Sequence, residues 1–411
     1  MNRILKNKKK VPFLFNALFV FILVHSYIPI IGFYTPAVVY AGVISLMYVV
    51  AFVVMMGGNR LLKLLMTVFP LYLVNVLEII HHSFSGQGFA FTELYGLAQN
   101  LLPAICTLFL LEKRDKSSAK ILLSVLFVCC LITSVTTYFG CRVFPNASRI
   151  LATTIRGDDI ALYATYMKFN IGGYSFIYTI ALLIPVVVYL AKIRKINIIM
   201  AIMIVVVFFF AIIQSEYTTA LLFSVIGLLF CLLPAKMEWR KMRRFILLIV
   251  IGGIALFEIV PPVLRFVASS SESEQVSSRL NDLADVASGD DIGLSVDSDF
   301  TLRQERYQKS WNSFVNSNFL GRWSQSNAGG HSYFLDRLAV YGVLGLILLI
   351  VMYVSLFRLY FKPYRAKPWY GTIVLLLFLA ILLAAINTGN SFPFMCLVLP
   401  LFNLVVDEPY A

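Results

Sequence analysis

The stretch 299–350, DFTLRQERYQKSWNSFVNSNFLGRWSQSNAGGHSYFLDRLAVYGVLGLILLI, gathers the residues able to do polar chemistry in an otherwise apolar chain. It carries Arg303, Arg306, Arg322, His331 and Arg337 and runs straight into a long apolar segment. His331 follows Gly329 and Gly330, at a boundary where a polar head group would sit. An imidazole titrating near neutrality can take a proton from an attacking hydroxyl, which contributes about 10²- to 10⁴-fold in rate. The bland alternative is an interfacial histidine that only anchors the following segment. Asp336 and Arg337, one to two turns further on, would either orient His331 or, more simply, pair with each other.

Arginine supplies a second chemistry. A guanidinium grips phosphate oxygens in a planar two-pronged fashion that an ammonium cannot match. Arg149, Arg156, Arg279 and Arg303 are the candidates for a diphosphate ligand, with Arg142, Arg265, Arg306 and Arg322 as substitutes. Each could instead pair with a neighbouring acid on a wet surface. Arg303 ranks first because it shares a helical stripe with Tyr307, Trp311 and Phe314, and Thr301 and Gln304 read as a capping box opening that helix. Asn316, Asn318 and Gly321 end it. The pair Asp158–Asp159 is too small a set to define a base or a metal site, while Glu78, Glu216 and Glu258 border apolar segments and could line a polar cavity. The six cysteines show no CxxC or metal spacing and read as small packing residues without a disulfide framework. With no Walker loop, HExxH or dinucleotide fingerprint, ATP coupling within the chain is unsupported.

The elements that must position these residues are membrane helices. The chain is 60% hydrophobic and 13% charged, the balance of a polytopic membrane protein. Apolar runs long enough to cross a bilayer recur at 11–31, 36–56, 61–80, 93–111, 121–139, 174–191, 197–214, 217–234, 245–262, 332–357, 370–388 and 392–406. The first resembles a signal peptide, but its apolar run is long and lacks a small-residue cleavage site, so an uncleaved span is expected. Twelve spans put both termini on one side. With that side cytoplasmic, the inner segments hold 23 of the 34 lysines and arginines but only 5 of the 21 acids. The net charge of +13 is therefore a topology signal, not a nucleic-acid footprint. The outer segments hold 9 arginines against 2 lysines. The expectation is an all-α polytopic membrane protein, residues 1–411 forming a single integral membrane domain. A first outer loop covers 140–173, and a large extracytoplasmic loop with short amphipathic helices, 263–331, joins spans 9 and 10.

The string Arg303-xxx-Tyr307-xx-Ser310-xxx-Phe314, continuing to Asn318-Phe-Leu-Gly321 and then GGHSYFLDRLAVYGVLG, resembles the O-antigen ligase and polysaccharide polymerase (Wzy-type) superfamily. ASRILAT and NIGGYSFIY are similar to the earlier loop and sixth span of capsular and exopolysaccharide polymerases. His-Ser stands where ligases usually show His-Asn, which together with NIGGY favours polymerase over ligase. The resemblance implies a GT-C-like glycosyltransferase of the bacterial cytoplasmic membrane, acting on its outer face without nucleotide sugar, metal or other cofactor. The donor would be a glycan on undecaprenyl diphosphate and the acceptor another lipid-linked repeat unit, with membrane lipids, a chain-length regulator and a flippase as further partners. By the same carry-over, Arg303 and Arg279, with Arg149 or Arg156, would hold the donor diphosphate and stabilise it as a leaving group. His331 would activate the acceptor hydroxyl, most simply with inversion, and Arg306, Tyr307, Asp336 and Arg337 would support. The alternatives are a ligase-like transferase to another acceptor and a flippase or transporter of lipid-linked glycan. Transporters concentrate charge at mid-membrane and often show repeated halves, whereas here charge gathers in one outer loop.

Overall fold

The computed structural model describes residues 10–55, 91–151, 159–231, 260–270, 299–323, 328–365, 369–386 and 393–407, with a few single positions between them. Among the described residues the fold is helical and has no strand. Helices α1 (Lys10–Tyr27), α2 (Pro29–Tyr34) and α3 (Ala37–Met55) are followed by α4 (Phe91–Lys113), α5 (Lys116–Val143), α6 (Ala147–Ile150) and α7 (Asp159–Lys168). Then come α8 (Tyr174–Lys192), α9 (Ile198–Gln214), α10 (Thr218–Cys231), α11 (Val260–Ser269) and α12 (Asp299–Asn316). The chain closes with α13 (Tyr333–Tyr360), α14 (Tyr370–Ile386), a π-helical turn (Phe394–Val398) and α15 (Leu399–Val406).

The core sits around α8. Its sequence is uncharged until Lys192 and apolar on every face, so it can be stable only where it is covered all round. It packs against α9, α10 and α14, and Ile177, Ile180 and Ile184 have no exposure. On α9 the opposite holds: Ile198, Met203 and Phe210 point outward at 61%, 59% and 53% exposure. Apolar side chains facing out along a whole helix require an apolar surrounding.

Three helices, α5, α8 and α13, are long and apolar enough to cross a membrane, and shorter apolar helices accompany them between Phe13 and Val406. Ten of the twelve expected segments coincide with these helices. The other two, 61–80 and 245–262, lie almost wholly outside the described residues, as does most of 263–298. Several polar contacts between segments gather in two groups at opposite ends of the bundle, and others, such as Thr107 to the Cys396 carbonyl, belong to neither. At one end Thr133 donates to the Tyr27 carbonyl, the Ile30 amide to Asn170, Arg149 to the Glu216 carbonyl and Ser332 to the Ala385 carbonyl. At the other Asn16 donates to Ser118, Lys116 to the Asp407 carbonyl, and Lys367 pairs with Asp407 at 2.8 Å. Each group joins only segments that the alternation of spans assigns to one side. The first outer segment, 140–173, is itself built from the end of α5, α6 and α7.

The feature that positions the site is a break in α13 at Gly342, where φ is 63° and ψ is −160°. An interrupted helix strands backbone carbonyls and amides that must find partners. Residues 319–323 supply them: the amides of Arg322 and Trp323 donate to the carbonyls of Ala339 and Val340, and Phe319 accepts from the Val343 amide. The two backbones meet so closely that a Cβ on Gly321 would lie 2.4 Å from the Gly342 nitrogen, and one on Gly342 would lie 2.4 Å from the Leu320 carbonyl carbon. The expected tenth span, 332–357, is thus two bodies: a polar-sided piece holding Asp336 and Arg337, then an apolar helix from 343 to 360.

Candidate functional site

Helix α12 presents one packed stripe. Ser310 and Phe314 are buried, Arg303 and Tyr307 are half-buried, and Trp311, expected on that stripe, is 50% exposed. Spacings of 4, 7 and 11 from Arg303 follow the helical period, so Ser310 occupies the place expected for Trp311. The helix starts at Asp299, which puts Thr301 inside its first turn and not at its cap. It ends at Asn316 as expected, and a reversal follows in which Asn318, Phe319 and Gly321 all have positive φ. Asparagine and glycine tolerate that conformation; Phe319 is held in it by packing its ring on Phe314, centroids 5.1 Å apart.

The reversal brings residues 328–332 back across α12. Gly329 lies flat on the helix, where a Cβ would come within 2.0 Å of the Arg306 carbonyl oxygen. The Ser310 hydroxyl donates to Asp336 Oδ1 (2.7 Å) and accepts from the Gly329 amide (2.8 Å); the Gly330 amide also donates to Asp336 Oδ1 (3.2 Å). Ser332 caps α13, accepting from the Leu335 amide, and donates to the Ala385 carbonyl at the end of α14 (2.6 Å). Tyr307 donates to the neighbouring Ile386 carbonyl (2.5 Å). Burial pushes the Tyr307 phenol above its ordinary value, with Arg303 opposing the shift and Asp336 adding to it, so it remains a donor at neutral pH.

His331 is therefore bracketed by two anchored neighbours, Gly330 and Ser332. Its Nε2 touches Arg306 Nη1. A guanidinium can only donate, so a hydrogen bond between the two has Nε2 as its acceptor. Arg303, placed first in the sequence reading, turns the other way and donates to Thr219 Oγ1 at the start of α10 (3.0 Å), beside Tyr178. The arginine that reaches His331 is Arg306, one turn along, because that turn faces the returning loop. Asp336 and Arg337 face different partners: Asp336 binds the loop, while Arg337 donates to the Tyr341 hydroxyl (2.7 Å) and lies over the Tyr333 and Tyr341 rings.

Arg149, on α6, donates to the Glu216 carbonyl (3.0 Å) and lies over the Tyr217 ring at 5.9 Å. Its Nε is buried and has no partner among the described residues. Tyr217 packs on Tyr178, centroids 5.9 Å apart, and both pack on Tyr174. Arg149 and Arg303 thus flank one aromatic cluster, at the same end of the bundle as His331. Arg156, Arg279 and Asp158 lie outside the described residues, as do Glu78 and Glu258. Of the substitutes, Arg142 lies over the Tyr138 ring and Arg322 donates to the Asn316 carbonyl. Among the described residues no three His, Cys, Asp or Glu side chains gather as metal ligands, and all six cysteines are free and buried.

Sequence reasoning gave Ser310, Thr219, Tyr178 and Tyr217 no role. Ser310 stands within the quoted Arg303–Phe314 string, where its spacing was available as a signal; Thr219 carries none, being one of many threonines at a helix end. No family model, no curated protein and no solved structure matches the chain.

Proposed function

We propose that this protein is a glycosyltransferase that polymerises undecaprenyl-diphosphate-linked repeat units into a surface polysaccharide. On this reading it crosses the bacterial cytoplasmic membrane about twelve times, both termini are cytoplasmic, and its fold is GT-C-like. The observation that carries the reading is the contact of Arg306 with His331 Nε2, one turn from Arg303, at the bundle end that also holds Arg149. A diphosphate donor needs guanidinium groups, and an acceptor hydroxyl needs a base; both stand together here.

The contact also orders the steps. Arg306 occupies the lone pair that the acceptor's proton requires. An arriving diphosphate competes for that guanidinium, since charge-assisted bonds to phosphate are stronger than one to a neutral ring nitrogen. Arg306 then moves to the donor and Nε2 is freed. The acceptor oxygen attacks the anomeric carbon, its proton passes to His331, and the glycosyl–phosphate bond breaks with the electron pair leaving on undecaprenyl diphosphate. Arg303 and Arg306 stabilise the charge on that leaving group.

The test is incubation of the purified protein with lipid-linked repeat units alone. A ladder of longer chains is expected; His331→Ala lowers its rate by about 10²- to 10⁴-fold and Arg306→Ala also lowers it. Ladders of normal rate in both variants would reject the reading. Transfer only to a different acceptor would identify a ligase-like enzyme.

A further inference from the structure

A second binding surface lies at the opposite end of the bundle. Between α13 and α14, Val354, Phe357, Leu377, Ile381 and Met395 line a cavity of about 380 Å³. Leu377 and Met395 form its buried floor, and Val354 stands at its open side with 42% exposure. At its mouth are Arg358, Lys362 and Arg365, all exposed. None of the three side chains makes a hydrogen bond or ion pair among the described residues. A larger cavity of about 450 Å³ shares Arg358 with it and adds Arg114 and Lys367, but also brings a carboxylate, Asp407, which pairs with Lys367.

The surface is zoned like a lipid. Its apolar floor follows α14 from Tyr370 to Ile381, a rise of about 16 Å, which matches one half of a hydrocarbon layer about 30 Å thick. Its cations are grouped at the end where that layer stops. A soluble phosphate would meet the cations and leave the apolar floor empty. A zwitterionic lipid would fill the floor and leave the charge uncompensated. This end also holds the lysine and arginine excess that assigns it to the cytoplasm, where basic pockets between membrane helices meet anionic head groups.

We propose that this groove binds an anionic glycerophospholipid. Its phosphate is held by Arg358, Lys362 and Arg365, and one acyl chain lies along Phe357, Leu377 and Ile381. The site is independent of the His331 cluster and of the reaction assigned to it.

The test is native mass spectrometry of the full-length protein in detergent, titrated with phosphatidylglycerol, phosphatidylcholine of the same acyl chains, or inorganic phosphate. Phosphatidylglycerol is expected to bind at least about tenfold more tightly than phosphatidylcholine. The combined Arg358→Ala, Lys362→Ala and Arg365→Ala variant should bind it about 100-fold more weakly, at roughly one favourable contact per cation. Val354→Trp, which narrows the groove and keeps every charge, should also weaken it. Equal binding of the two lipids, undiminished phosphatidylglycerol binding by the triple variant, or complete displacement by inorganic phosphate would each overturn the proposal.

Discussion

Ser310 is the residue on which the geometry of His331 turns. Its hydroxyl is the shared partner of Asp336 and of the Gly329 amide, and the side chain is 1% exposed. Ser310→Ala removes a donor from a carboxylate and an acceptor from a partly buried amide at once. Leaving such groups unsatisfied costs about 1–3 kcal/mol, so thermal unfolding in detergent should show a clear loss of stability. Under the proposed function chain formation should fall as well, because the loop holding His331 loses its tie to α12. The stripe of Arg303, Tyr307 and Phe314 was readable from spacing alone, since helical periodicity fixes which residues share a face. The meeting of Arg306 with His331 was not. It depends on a chain reversal through residues 318–321, and nothing in the types of the two residues specifies where that reversal points.

At the scale of elements, the break in α13 and the segment that fills it form one unit. Gly342→Ala would place a Cβ 2.4 Å from backbone that cannot move without losing its bonds to 339–343, at a φ that disfavours side chains. Gly330 has a comparable φ of 80°, yet nothing lies within 4 Å of where its Cβ would stand. Gly330→Ala should therefore cost only about 1–2 kcal/mol, while Gly342→Ala should cost more and lower the yield of folded protein. Thermal melts of the two variants side by side check the order. The break escaped the sequence reading because hydropathy sees 332–357 as one apolar run. It registers what a side chain dissolves in, not the dihedral angle of a glycine within it.

Across the whole molecule, hydropathy placed the apolar segments, and ten of the twelve expected ones coincide with apolar helices among the described residues. This much was readable because it depends on composition summed over long windows, where tertiary detail averages out. The side that faces the cytoplasm can be checked directly. All six native cysteines are buried, so they should give little background to a membrane-impermeant maleimide. In sealed right-side-out vesicles, Lys309→Cys on α12 is expected to react at once and Lys113→Cys at the end of α4 only after permeabilisation. The reverse order would invert the topology and move the His331 cluster to the wrong face for an extracytoplasmic reaction.

The interruption at Gly342 also fixes a length. From 343 to 360 the helix rises at most about 27 Å, and it is tied at both ends, by Phe319 to the Val343 amide and by the Tyr360 hydroxyl to the Ala104 carbonyl. A helix fastened in this way cannot stretch to suit a thicker bilayer. A thicker hydrocarbon layer would have to thin around it, or flanking side chains snorkel, each at a modest cost for every ångström of mismatch.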